Sequence, residues 1–197
     1  DHHAGASQMH KSGGEWKVQK QRLEWDILKA IQQGAREFGI KPCADFNDGN
    51  NEGSGFFEVN QNNGVRWSTA KAFLRTARKR PNLRVLTHAH SERLLLQGKR
   101  VFGVEFRLKG IRKHAVARRE VILAAGSINS PKLLELSGIG RPDVLSARGV
   151  KILHERPGIG ENLQDHLQIR TVFKVQNADT LNARVNSPLG KARIALQ

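Results

Sequence analysis

The chain has 197 residues, 38% hydrophobic and 26% charged, which is enough for one sizeable globular domain or one and a part. No apolar run approaches the roughly 20 residues a membrane-spanning helix needs, and the single Cys43 excludes an internal disulfide and fits a reducing compartment. The formal charge of +15 raises a nucleic-acid reading, but the basic residues are spread out, with no zinc-finger spacing, no aromatic RNA-binding motif and no tyrosine.

Residues 1–20 are polar and contain His2, His3 and His10. Histidines can bind metal, but nothing local fixes these three, so a mobile end is expected. No charged-then-apolar signal segment opens the chain, which begins at Asp1 and reads as processed, trimmed or part of something longer. Arg22 to Phe38 reads as an amphipathic helix: Leu23, Ile27, Ile31 and Phe38, with Ala30 and Ala35, recur at helical spacing. Gly39 closes it and Pro42 prevents continuation. Residues 43–64 form a loop rich in Asn, Asp and Gly. Its run Asn47–Gly53 lacks the alternating oxygen ligands and late glutamate of a calcium loop. A short strand is expected at Phe56, Phe57 and Val59. Ser68 or Thr69 then caps a second helix, with Ala70, Phe73, Leu74 and Ala77 inward and Pro81 at its end.

From Asn82 the pattern changes to short strands: Leu83–Thr87, Arg93–Leu96, Val101–Phe106 and His114–Ala117, punctuated by Gly98 and Gly110. This is a meander. His88 and His90 share a strand face within it, without a third ligand nearby. The apolar run Val121–Ala125 reads as a strand buried on both faces. Gly126 permits a tight turn, Ser130-Pro131 opens a helix, Leu133, Leu134 and Leu136 give it a buried side, and Gly138 ends it. A buried strand, a glycine turn and a helix N-terminus receive phosphates or dinucleotides in open α/β folds, and also serve as plain crossovers. A helical turn at Asp143–Arg148, strands at Val150–Leu153 and Ile169–Val175, and a closing helix complete the reading.

The order Gly126-Ser127, Ser130-Pro131, Leu133-Leu134, Ser137-Gly138-Ile139-Gly140 resembles the second signature of the glucose-methanol-choline (GMC) flavoprotein oxidoreductases. Pro157-Gly158-Ile159-Gly160-Glu161-Asn162-Leu163-Gln164-Asp165-His166 is similar to the segment that follows it in that family. Asp45-Phe46-Asn47 and the stretch Asn63 to Leu74 are similar to upstream family motifs. The resemblance leans to the bacterial choline-dehydrogenase-like branch. It implies a mixed α/β fold: part of an FAD-binding dinucleotide fold with a β-meander insertion, plus the start of a substrate domain. Residues 1–82 would be a linker and substrate-entrance region, 83–168 the C-terminal part of the FAD-binding domain, and 169–197 the beginning of the substrate domain. It implies FAD at Ser91, Ala124, Ala125 and Gly126. In the family a histidine takes a proton from an alcohol as hydride passes to the flavin; that histidine is expected outside these residues. No G-x-G-x-x-G follows a first strand here, so an internal fragment of a longer, cytoplasmic enzyme is expected, with peripheral attachment at the inner membrane. Its partners would be a small alcohol and the missing parts of the parent chain. The alternative is a basic non-catalytic module for nucleic acid or a protein partner.

Overall fold

Helix α1, Asp26–Glu37, ends in a Schellman motif: Gly39 N–H reaches Arg36 O and Ile40 N–H reaches Ala35 O, both at 2.9 Å, with Gly39 at φ +96°. The computed structural model describes residues 1–22, 24–178 and 180–195; Leu23, expected on the apolar side of α1, lies outside them. The chain divides into two units, Asp1–Arg84 with Thr171–Gln197, and Val85–Arg170.

In the first unit α1 has the expected apolar spacing but no buried residue, and Ile31 and Phe38 are 60% and 87% exposed. The N-terminal residues are pinned, against the expectation of a mobile end. His3 N–H bonds Val18 O at 3.1 Å, Gln19 and Val59 exchange bonds of 2.9 and 2.8 Å, and Trp67 Nε1–H reaches Glu15 O at 2.7 Å. His2, His3 and His10 are tied to the distant carboxylates Glu58 and Asp45. The strand expected at Phe56–Val59 reduces to the single bridge Gln19–Val59. A hairpin of β1, Gln61–Asn62, and β2, Val65–Arg66, turns at Asn63-Gly64, both at positive φ. The helix after Ser68 begins as a wide π-helical stretch, Ala70–Leu74, and continues as α2, Arg75–Ala77. Ala72, not Phe73, is its buried residue; Phe73 stacks on Trp16 with ring centroids 5.8 Å apart.

The second unit is built on an antiparallel sheet of order β3-β4-β5, from Ala89–Gln97, Arg100–Leu108 and Ile111–Val116. Two-residue turns set its register. Lys109 and Gly110 both have positive φ, and Gly98 supplies positive φ in the other turn. No ladder forms at Leu83–Thr87, because His88 at φ +56° breaks the extended path just before β3. Glu92 is the extra residue of a bulge, since Ser91 pairs with Phe106 and Arg93 with Glu105.

Val121–Ala125 also carries no ladder, and Ile122 is 81% exposed. A strand buried on both faces needs neighbours on both edges, and none is present among the described residues. Helix α3, Gly126–Leu136, starts earlier than Ser130. Ser130 caps it from within: its Oγ accepts Ala125 N–H at 3.1 Å. Pro131 lies inside α3 rather than at its first position. Then follow β6 at Ile139–Gly140, α4 at Pro142–Ala147 and β7 at His154–Glu155, with β7 parallel to β6. Leu94, Phe106, Leu133 and Leu145 form the core, and Leu145 is 1% exposed.

Back in the first unit, α5 at Leu181–Val185 and α6 at Pro188–Ala195 pack on each other, with Thr180 Oγ1 capping α5. Arg184 lies 4.6 Å over the Trp25 ring. The strand expected at Ile169–Val175 does not form, and Val172 is 93% exposed.

Ser137 joins α3 to the sheet: its Oγ accepts the buried Leu94 N–H at 2.8 Å and donates to Leu133 O at 2.5 Å. Beside it Gly138, at φ +82°, sits where a Cβ would come within 2.4 Å of Lys151 O. Ser137→Ala will strand a buried amide and destabilise the chain by about 1–3 kcal/mol in urea unfolding followed by far-UV circular dichroism, with faster exchange of the Leu94 amide. Gly138→Ala will cost at least about 1–3 kcal/mol by the same measurement, from left-handed strain alone.

Candidate functional site

Helix α3 presents two faces. Asn129, Lys132, Leu133 and Leu136 follow the i, i+3, i+4, i+7 rule. With Ser91 and Ala125 they line a cleft of about 270 Å³ in the second unit. Two of the four residues expected at the cofactor, Ser91 and Ala125, therefore share one cleft although 34 positions separate them. Ala124 and Gly126, the other two, do not line that cleft; both are exposed, and Gly126 opens α3 at φ +85° with open space where a Cβ would project. Sequence reasoning missed Asn129 and Lys132. The available signal was helical spacing, Asn129 standing four residues before Leu133 and Lys132 four before Leu136.

The opposite face of α3 carries Ser127, Pro131 and Glu135, each four residues apart. They line a second groove, about 540 Å³, with Gly160, Asn162 and Leu163. Two stretches that resembled the family thus meet along one helix. Arg141 anchors the later stretch, bonding Glu161 at 2.8 Å and Asp143 at 3.1 Å. The Arg141 guanidinium holds the Asp143 carboxyl below its ordinary range. Asp165 and His166 are exposed and take no part in either groove.

A charged cluster lies across the sheet. Glu105 is 4% exposed, and Arg93 grips it through two bonds of 3.0 and 3.1 Å. His114 adds a bond of 2.9 Å, and Arg112 stands 3.7 Å away. Bonding from Arg93 first, then His114, lowers the Glu105 carboxyl from 4.5 to about 2. This carboxylate is a structural anion, committed to three strands.

Ser91 and Ala125 put small side chains on the wall of this cleft, and Lys132 supplies a cation. The volume takes one portion of a dinucleotide rather than the whole of one.

The second unit thus sets a three-stranded meander against α3, with the cleft running along that helix. The family model of the GMC oxidoreductases matches residues 4–168, and the chain belongs to that family, whose cofactor is FAD. An oxygen-dependent choline dehydrogenase from Brucella ovis is 39% identical over 180 residues, covering 91% of this chain and 32% of that protein. The mitochondrial choline dehydrogenase of Mus musculus is 37% identical over 196 residues, covering 100% of this chain and 33% of that protein. The crystal structure of pyridoxine 4-oxidase from Mesorbium loti matches with a TM-score of 0.79 and 34% identity, covering 84% of this chain and 33% of that one. A fungal aryl-alcohol oxidase shares the fold with a TM-score of 0.79 at 22% identity, covering 93% of this chain and 32% of its own. The chain therefore spans about a third of the length of the curated relatives it matches.

The Glu105 cluster has a defined pH window. Its carboxyl titrates lower in the fold, at about 2, than its ordinary 4.5, so its contribution to stability is complete above 4.5 and is lost as pH falls toward 2. The unfolding midpoint of the wild-type chain will fall more steeply over that window than that of Glu105→Gln, whose side chain does not titrate. Parallel slopes in circular dichroism melts would show that Glu105 is not held as described.

Proposed function

We propose that this chain is a segment of an FAD-dependent oxidoreductase that oxidises the CH–OH group of a small alcohol of the choline type. The cleft shared by Ser91 and Ala125 is the observation that carries this reading, within a chain whose family members include choline dehydrogenases. FAD, when bound, supplies the hydride acceptor. Ser91, Ala124, Ala125 and Gly126 are the residues of this chain that we assign to it. The backbone at 124–126 would meet the cofactor closely, and Lys132 would offset its phosphate charge. The histidine that takes the alcohol proton belongs, in this reading, to the part of the parent beyond these residues. Residues 83–168 serve as the C-terminal part of the FAD-binding domain, 1–82 as linker and substrate entrance, and 169–197 as the start of the substrate domain.

Exposed apolar side chains support the reading of a parent with more structure. Leu167, Ile169, Val172 and Phe173 are 94%, 80%, 93% and 76% exposed within one short segment, a concentration of apolar surface that more structure would cover. Among the described residues no helix is long and apolar enough to cross a membrane. We assign the parent to the cytoplasm, with its basic surface drawn peripherally to the anionic inner membrane. No observation favours the nucleic-acid or partner-module alternative.

The purified parent will carry FAD, and choline added without oxygen will bleach its flavin absorbance. A colourless parent, or a flavin that no alcohol reduces, would sink the reading. The 197-residue chain alone will hold FAD weakly or not at all. In the parent, Gly126→Val will lower FAD affinity about tenfold, read as the flavin-to-protein ratio after dialysis, because a β-branched residue resists the left-handed backbone there.

A further inference from the structure

Three imidazoles and two carboxylates converge in the first unit. His2 Nε2 lies 2.6 Å from Glu58 Oε2, and His3 Nε2 lies 2.5 Å from Glu58 Oε1. His10 Nε2 lies 2.6 Å from Asp45 Oδ2. The His2 ring sits 4.5 Å from that of His3 and is stacked on that of His10 at 4.0 Å. The His2 and Glu58 side chains are 7% and 8% exposed, so the centre of the cluster is withdrawn from water.

The backbone builds this arrangement. His2 bridges Val18, and Gln19 next to it bridges Val59. Those two bridges hold His2 and His3 opposite Glu58 across 55 residues of chain. Locally, His2 Nδ1 accepts Ala4 N–H at 3.3 Å, a bond that yields when Nε2 takes an ion and Nδ1 carries the proton.

We propose that His2, His3 and Glu58 bind a divalent metal ion of the zinc class, with the His10–Asp45 pair supporting the site. The donor set is two imidazole nitrogens and a carboxylate, which zinc and cobalt accept, with a fourth position left for water. One ligand atom from each of the three residues lies within 4.8 Å of the other two. Tetrahedral bonds of about 2.0–2.1 Å place ligand atoms roughly 3.3 Å apart. Each present contact widens by less than about 1 Å to admit the ion, a change that side-chain rotation supplies.

His2, His10 and Asp45 form an overlapping triad within the same limit. The first set is the better ligand shell for two reasons. Both oxygens of Glu58 already face an imidazole, whereas Asp45 Oδ1 is engaged by Asn47 N–H at 2.8 Å. The His2 and His10 rings are parallel within 2°, which sets their nitrogens side by side rather than aimed at one point. The His10–Asp45 pair supports the site by stacking on the ligand His2. Bound there, the ion clamps the N-terminal residues onto the loop that carries Glu58.

The test is a titration of the purified 197-residue chain with Zn²⁺ by calorimetry and with Co²⁺ by visible d–d absorption. One ion per chain, with the cobalt spectrum of a four-coordinate nitrogen and oxygen site, is expected. Glu58→Gln and His3→Ala will each weaken Zn²⁺ by more than about 100-fold, and Asp45→Asn, which touches no ligand, by less than about 10-fold. His154→Ala, in the other unit, will leave affinity unchanged. Glu58 is the decisive position, because chelation by the N-terminal histidines alone would survive its loss. The absence of binding, or binding that persists in Glu58→Gln, overturns the proposal. Circular dichroism checks that each variant folds; if Glu58→Gln does not, the cobalt spectrum of the wild-type chain decides, since the weak absorption of a six-coordinate ion in place of the intense four-coordinate bands overturns the proposal.

Discussion

One hydroxyl holds the second unit together. β3 is an edge strand of its sheet, and edge amides must find partners or water. Leu94 is 6% exposed, so water does not serve its amide; Ser137 does. The same hydroxyl donates to Leu133 O, inside the last turn of α3. Leu94 and Leu133 are therefore locked at hydrogen-bond range through one atom, and both are core residues. The placement of α3, and with it both grooves along its sides, follows from this joint.

The signature from Gly126 to Gly140 thereby divides into two kinds of work. Its second half is a structural joint. Ser137 closes the edge of β3, Gly138 lets the backbone of residues 151–153 approach, and Gly140 is buried where a Cβ would press 3.2 Å from Glu135 Cγ. Its first half is open. Ala125 lines a cleft, Gly126 begins the helix without obstruction, and Asn129 and Lys132 face the same space. A motif that reads as one string is thus an open surface followed by a packing joint. Basic side chains outnumber acidic ones, 33 to 18, and the buried Glu105 draws Arg93, Arg112 and His114 together across three strands while their own side chains stay more than half exposed.

Legibility in the sequence tracks how local each determinant is. The hairpins were readable because Gly98 and Gly110 carry their turn chemistry with them. The end of α1 was readable because Gly39 alone satisfies the left-handed cap. The strand at Val121–Ala125 was not, because a ladder is a property of neighbours and its own composition cannot supply them. Ser130 had the composition of an N-cap but serves Ala125 from inside the helix, since Gly126 starts the turn sooner. In the cleft, Ser91 and Ala125 were named through the family resemblance, while Asn129 and Lys132 required knowing which face of α3 turns inward. The histidines at 2, 3 and 10 were misjudged for the same reason: their partners lie 56, 55 and 35 residues away.

The apolar surface of the chain connects these points. α1 has a strong apolar stripe and no buried residue, and an amphipathic helix gains its stability chiefly by burying such a stripe. The run at Val121–Ala125 has β-rich composition and no ladder. Leu167, Ile169 and Phe173 are 94%, 80% and 76% exposed in one short segment. Each is a feature whose sequence cost is incurred without its structural return inside the unit that holds it. Relatives three times as long supply the setting in which those costs make sense. The polar joints, Ser137 to Leu94 and Glu105 to Arg93, are by contrast complete within the second unit. Among the described residues the polar joints of the second unit are thus closed, while the apolar faces of α1 and of the segment after Gln164 stay open to solvent.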